Sequence, residues 1–176
     1  MSQTNELEIM ERIALDLEGV EESLASSFNT GAEDFNALIR PLSAAGGKRL
    51  RAQLCLLIAN AGTSVERQRI RIAEAVEMLH LATLIHDDVL DQAEIRRGEE
   101  TIHMHKGNKV AILSGDYLFA KAFQIVSEMP NMKYLQIFSH IITCLVEGEF
   151  MQMEDVYRID QGIERYMRSE ERRVGK

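Results

Sequence analysis

The chain has 176 residues, 45% hydrophobic and 27% charged, which is enough apolar material for a packed core and excludes a disordered segment. With 20 lysines and arginines against 28 aspartates and glutamates, the formal net charge is −8. That balance argues against general nucleic-acid binding, which needs a basic face to displace counterions from phosphates.

The N-terminus, Met1 to Glu6, has neither a basic stretch nor an apolar run of the secretory type. No uninterrupted apolar stretch approaches the roughly 20 residues that span a bilayer, so a cytoplasmic protein without a transmembrane segment is expected. Two cysteines, Cys55 and Cys144, suit a reducing compartment and buried thiols. Only 2 prolines and 11 glycines interrupt the chain, which favours long helices.

Met10, Ile13, Leu17, Val20 and Leu24 recur at three and four, predicting a first helix from about Leu7 to Phe28. Phe35, Leu38, Ile39 and Leu42 suggest a short helical piece interrupted near Pro41, and Gly46-Gly47 then breaks the chain. A third helix places Leu50, Leu54, Leu57, Ile58 and Ala61 on one side and ends at Gly62. Thr63-Ser64 offers an N-cap for a long helix running to about Asp91. Gln92 to Gly107 reads as a polar loop. Two further helices cover about Asn108–Glu128 and Asn131–Val156, separated by Pro130-Asn131. No alternating strand pattern persists and no repeat is present, so the fold class is all-α, a helix bundle.

The end of the long helix carries the chemistry. In His80-Leu81-Ala82-Thr83-Leu84-Ile85-His86-Asp87-Asp88-Val89-Leu90-Asp91, helical geometry sends His80, Asp87 and Asp91 to one side, with Asp88 about 100° round from Asp87. Three carboxylates at a helix C-terminus repel one another and oppose the dipole. A hard cation would remove that cost, and magnesium held by a few carboxylates keeps positions for phosphate oxygens. A bare Asp-Asp-x-x-Asp is more often a solvated acidic patch. Here an apolar turn precedes it and Arg96-Arg97-Gly98 follows, so carboxylates for a metal and arginines for phosphate share one short segment. Upstream, Lys48 and Arg51 lie three apart at a helix start after Gly46-Gly47, a candidate anion site that lacks the spacing of a Walker phosphate loop.

Taken in order, these segments resemble the polyprenyl synthetase family of trans-isoprenyl diphosphate synthases, over roughly Leu38 to Gln152. The residues that carry the resemblance are Gly46-Gly47-Lys48-Arg49-Leu50-Arg51, His80, Asp87-Asp88-Val89-Leu90-Asp91 and Arg96-Arg97-Gly98. They continue with Thr101, His103, Gly115-Asp116-Tyr117-Leu118 and Gly148-Glu149-x-x-Gln152. The resemblance implies an antiparallel bundle of the isoprenoid synthase type. It also implies that Lys48, Arg51, His80 and Arg97 hold isopentenyl diphosphate. Asp87, Asp88 and Asp91 would bind Mg2+, which with Arg96 grips an allylic diphosphate. The implied reaction ionises the allylic carbon–oxygen bond, joins the cation to isopentenyl diphosphate and loses a proton. The small residues Ala82 and Thr83 below the aspartates, with Gly148-Glu149, favour a medium- or long-chain product suited to a quinone side chain. Val76, Leu79 or a partner subunit could still restrict it, and a short-chain, geranylgeranyl-type synthase is the alternative. Family members form homodimers or pair with a small subunit.

The sequence departs from the family pattern in three places. Glu100 stands where proline is usual. Beyond Arg168 no Lys-Thr pair appears, so residues 1–168 read as the N-terminal part of a synthase domain and 169–176 as an unrelated tail. No second aspartate-rich motif is present, which implies that the chain is truncated relative to the family and has no appreciable condensation activity alone. Three other readings remain. A terpene cyclase would share the aspartate-rich helix without needing the cationic clamps. A metal phosphohydrolase would use His86-Asp87 with His103, His105 or His140. A non-catalytic synthase subunit would typically lack the carboxylates.

Overall fold

The computed structural model describes residues 3–28, 33–44, 47–62, 65–155, 162–164 and 167. Seven helices and one small hairpin are present among them: α1 (Gln3–Ser27), α2 (Glu33–Ala44), α3 (Leu50–Asn60), α4 (Glu66–Leu90), β1 (Ile95–Arg96), β2 (Glu99–Glu100), α5 (Ile102–Lys106), α6 (Asn108–Ser127) and α7 (Met132–Asp155). The all-α expectation holds. Residues 1–128 and 129–176 form two units; α7 belongs to the second, and the candidate site residues before it belong to the first.

Helix α4 is the centre of the first unit, packing on α1, α3 and α6. Neighbours on several sides bury Ala73, Ala75, Met78, Leu79, Leu81, Ala82 and Ile85 round most of its circumference, so no single apolar stripe marks it. Its buried charges are all matched. Arg69 makes a two-pronged pair with Asp16 of α1, at 3.0 and 3.2 Å. Glu74, fully buried, accepts from Ser23 and Ser27 of α1 and from Arg71, at 2.6–2.7 Å. Such pairs fix how α1 seats on α4, because a buried charge left unmatched is strongly destabilising.

Four expectations need correcting. Pro41 does not interrupt α2; it falls near the helix's last turn, where one missing N–H costs little continuity, and Ile39 before it is buried. Thr63-Ser64 lies outside the described residues, and the N-cap position of α4 is Val65, which makes no side-chain cap bond. The segment 92–107 contains the hairpin and the short helix α5. Finally, α3 turns its expected core face outward. Leu50, Leu54, Leu57 and Ile58 are 46–67% exposed, while Ala52 and Leu56 are buried. Polar ties set this rotation, since Ala52, Leu56 and Asn60 share one side. The Ala52 amide donates to Glu77, and Asn60 donates to Asp16, at 3.1 and 3.0 Å.

Helix α6 is long and apolar enough to cross a membrane by length and composition. It packs along α4 instead, with Ala111, Ser114, Gly115, Leu118, Ala122, Ile125 and Val126 buried.

Candidate diphosphate-binding site

The arginines after the aspartates are delivered by a tight hairpin. Ile95 pairs with Glu100 and Arg96 with Glu99, leaving a two-residue turn at Arg97 and Gly98. Both have positive φ, 54° and 86°, as the favoured two-residue hairpin turns require. Glycine adopts that conformation freely, and Arg97 does so at a cost of about 1–2 kcal/mol. Thr101 closes the base of the hairpin. Its hydroxyl donates to the Ala93 carbonyl at 2.7 Å and meets His103 Nδ1 at 2.9 Å, while its amide donates to the Glu94 carbonyl at 3.0 Å.

The two arginines point to different partners. Arg96 folds back onto α4, its Nε and Nη2 donating to one oxygen of Asp88 at 2.7 and 2.6 Å. The hydrogen bond to Asp88 outweighs the burial of its guanidinium, and with the charges of Asp88, Asp87 and Asp91 raises its pKa above the ordinary arginine value. Arg97 lies against the turn before α3, where a Cβ on Gly47 would sit 3.4 Å from Nη2 and 3.7 Å from Nη1. Gly47 therefore permits a close approach that a side chain would tighten. Gly46 lies outside the described residues.

His80 and Arg51 meet across α4 and α3, with Arg51 Nη1 donating to His80 Nε2 at 3.2 Å. Because the guanidinium only donates, Nε2 must be the lone-pair nitrogen and the ring is neutral. Burial, then the charges of Arg51, Arg97, Arg96 and Arg49, push the His80 pKa down to about 4. The sequence-distant segments meet where Arg51 touches His80 and where Arg97 lies beside Gly47. Lys48 is exposed, and its carbonyl accepts from Gln53 at 2.6 Å.

The expected anion site at a helix N-terminus takes a different form. Helix α3 begins at Leu50, so Lys48 precedes it, and the Ala52 amide is already bonded to Glu77. The attraction for an anion is carried by side chains. Arg49, between the two clamp residues, is buried and sits at φ 44°, ψ 40°. Burial works against its charge, but hydrogen bonding to Glu21 and the charges of Glu21 and Glu77 more than offset this and raise its pKa.

The three aspartates do not present alike. Asp88 is buried and held by Arg96, Asp87 is half-buried and Asp91 is exposed. Among the described residues no three His, Cys, Asp or Glu side chains are gathered as a metal cage. Asp87 and Asp91, one turn apart, supply hard oxygens that suit a cation drawing its remaining ligands from phosphate and water. A cavity of about 840 Å³ opens beside Asp88, Arg96 and Arg97, with Leu81, Leu84 and Ile85 on its wall. Ala82 is fully buried, and Thr83 donates its hydroxyl to the His80 carbonyl at 2.8 Å.

Of the histidines of the hydrolase reading, His86, His103 and His140 have other partners, while His105 lines the cavity beside Asp88 and Arg96. His86 Nε2 lies 3.0 Å from the Ile112 carbonyl and 3.5 Å from Asp116 on α6. Gly115 makes room for the ring: a Cβ there would collide with it. His140 meets Cys144 one turn along α7, where Gly148, Glu149 and Gln152 also lie.

Comparison with known proteins gives this arrangement a family. The model of the polyprenyl synthetase family matches residues 32–175. The chain belongs to this family. It is 34% identical over 160 residues to the octaprenyl diphosphate synthase of Escherichia coli (strain K12), covering 91% of this chain and 50% of that protein. Heptaprenyl diphosphate synthase component 2 of Geobacillus stearothermophilus is 38% identical over 154 residues, covering 87% and 48%. A polyprenyl synthase from Caulobacter crescentus CB15, solved in complex with calcium and isoprenyl diphosphate, superposes with a TM-score of 0.83 at 33% identity, covering 90% and 50%. The chain thus spans about half the length of the curated relatives it matches. Residues 169–176 lie outside the described residues, and the family match runs past residue 168 to residue 175.

Sequence reading missed Arg49, Glu77 and Glu21 as parts of the site's framework. Only the unusual backbone at Arg49 and long-range pairing reveal them, and neither leaves a local pattern in sequence.

Proposed function

We propose that this chain forms a diphosphate-binding wall of a trans-prenyltransferase that condenses isopentenyl diphosphate with an allylic diphosphate. The observation that carries this is convergence: Arg51 on His80, Arg97 against Gly47 and Arg96 on Asp88 set cations from two separate segments beside the aspartate-bearing end of α4. Lys48, Arg51 and Arg97 hold the diphosphate of isopentenyl diphosphate, and neutral His80 fixes Arg51. Asp87 and Asp91 hold Mg2+, with Asp88 acting chiefly through Arg96 on the allylic diphosphate. When bound, the metal neutralises charge that builds on the departing diphosphate. Arg96 meets the same developing charge from the protein side, and apolar helix faces keep water from the allylic cation.

The names of the relatives and the small side chains of Ala82 and Thr83 support a medium- or long-chain polyprenyl product. A cytoplasmic location fits the same reading. Assembly as a homodimer, or with a second component as the name of the Geobacillus relative suggests, completes the proposal.

Calorimetry with inorganic pyrophosphate and Mg2+ tests the wall directly. Binding is expected, weakened at least about tenfold by Lys48→Met or Arg51→Met. Failure of the wild-type chain to bind pyrophosphate overturns the reading. No condensation is expected from the purified chain alone, and incorporation of labelled isopentenyl diphosphate into a longer allylic product would refute that part.

A further inference from the structure

We propose that Arg49 is a positioning residue for the diphosphate clamp, and that Glu21 of α1 and Glu77 of α4 are its anchors. Lys48 and Arg51 flank a backbone kink at Arg49, whose φ of 44° and ψ of 40° are left-handed and disfavoured for any side chain with a Cβ. Such a conformation persists only where the surroundings over-determine it, and here they do. The Arg49 guanidinium donates to both oxygens of Glu21, from Nε at 2.6 Å and Nη2 at 3.0 Å, and its Nη1 lies 3.4 Å from Glu77 Oε2. The other oxygen of Glu77 accepts the Ala52 amide at 3.1 Å, capping the helix that carries Arg51. The Arg49 carbonyl starts that helix by accepting from the Gln53 amide at 2.8 Å, and the Gln53 side chain holds the Lys48 carbonyl.

One pair of carboxylates therefore fixes the residue between the two clamp side chains and the first turn of the helix behind them. Arg49 is 8% exposed and spends its charge on these anchors, so its contribution is geometric. It sets the direction in which Lys48 and Arg51 leave the backbone. Glu21 lies before residue 32, where the family match begins, so α1 takes part in a site that the matched segment alone does not complete.

The inference rests on the diphosphate reading above, and the experiment separates the two. Pyrophosphate binding with Mg2+ is measured by calorimetry for the wild-type chain, Arg49→Met, Arg49→Gly and Glu21→Gln. Amide exchange at Ala52 and Gln53 and the melting temperature are followed in parallel. Arg49→Met, which keeps bulk but loses the anchors, is expected to bind pyrophosphate at least tenfold more weakly and to exchange both amides faster. Arg49→Gly accepts the left-handed backbone without strain and is expected to bind more tightly than Arg49→Met. Glu21→Gln, the milder change, gives a smaller loss in the same direction. Affinities within twofold of wild type for Arg49→Met and Glu21→Gln overturn the positioning role while leaving the diphosphate reading intact. Equal losses in Arg49→Gly and Arg49→Met, with affinity tracking melting temperature alone, also overturn it. A wild-type chain that binds no pyrophosphate overturns both.

Discussion

His80 is the residue whose chemistry the structure defines most sharply. Its alignment with Asp87 and Asp91 was legible from helical geometry; its protonation state was not, because that depends on arginines brought from two other segments. A histidine with a folded pKa of about 4 binds fewer protons when folded than when unfolded. Its contribution to stability is therefore present above the unfolded value near 6.5 and is lost as pH falls towards 4. His80→Gln is expected to flatten the fall in urea midpoint between pH 6.5 and 4.5; an unchanged slope would show that other groups set it. Thr101 is a second residue whose role emerges only in three dimensions. Replacing it with valine keeps the shape but strands the carbonyl of Ala93, at an expected cost of about 1–2 kcal/mol by denaturant titration. Pyrophosphate affinity should fall with it, because the hairpin that presents Arg96 and Arg97 loses its base. A stability within 0.5 kcal/mol of wild type, on the order of an ordinary surface change, would mean that the hydroxyl is dispensable.

At the scale of elements, the helices were readable because apolar spacing and breakers agree along the chain, as in α1, where Ile13, Val20 and Leu24 of the expected stripe are buried, although Met10 at its start is 64% exposed. The rotation of α3 was not. Its apolar residues outnumber its buried ones, and its inward face is chosen by Ala52 and Asn60 through partners on α1 and α4. The hairpin was hidden for a related reason: two-residue strands have no measurable alternation, and Arg97-Gly98 is a less obvious turn pair than Asn-Gly. Between α4 and α6 the decisive feature is Gly115 facing His86, immediately before Asp87. Gly115→Ala is expected to cost about 1–3 kcal/mol, since the partly exposed imidazole must give up its place against Ile112. In a double-mutant cycle, His86→Ala should relieve part of that cost, giving a coupling above about 0.5 kcal/mol. Additive effects would mean that the collision is absorbed elsewhere.

For the whole molecule, a net charge of −8 conceals an uneven distribution. Arg49, Arg51, Arg96 and Arg97 all act on one imidazole, yet Arg49 is matched by Glu21 and Glu77, and Arg96 by Asp88. The surplus of positive charge facing a ligand is thus smaller than the number of cations suggests, and it stands beside carboxylates that are not gathered into a cage. Among the described residues neither a metal nor a diphosphate has a complete site alone. Each supplies what the other lacks, so their binding should be coupled. Mg2+ with pyrophosphate at about 100 times its dissociation constant stabilises the fold by about 2.7 kcal/mol if only the folded chain binds. For a chain of this length that corresponds to a rise in melting temperature of roughly 5–10 °C. Mg2+ without pyrophosphate should move it by less than about 1 °C, because two carboxylates and water make a weak site. The decisive control is Asp87→Asn with Asp91→Asn. It should abolish the magnesium-dependent part of the shift and leave whatever pyrophosphate achieves through Lys48, Arg51 and Arg97. If Mg2+ alone gave the full shift, the carboxylates would form a metal site independent of diphosphate, and the coupling argued from their separation would be wrong.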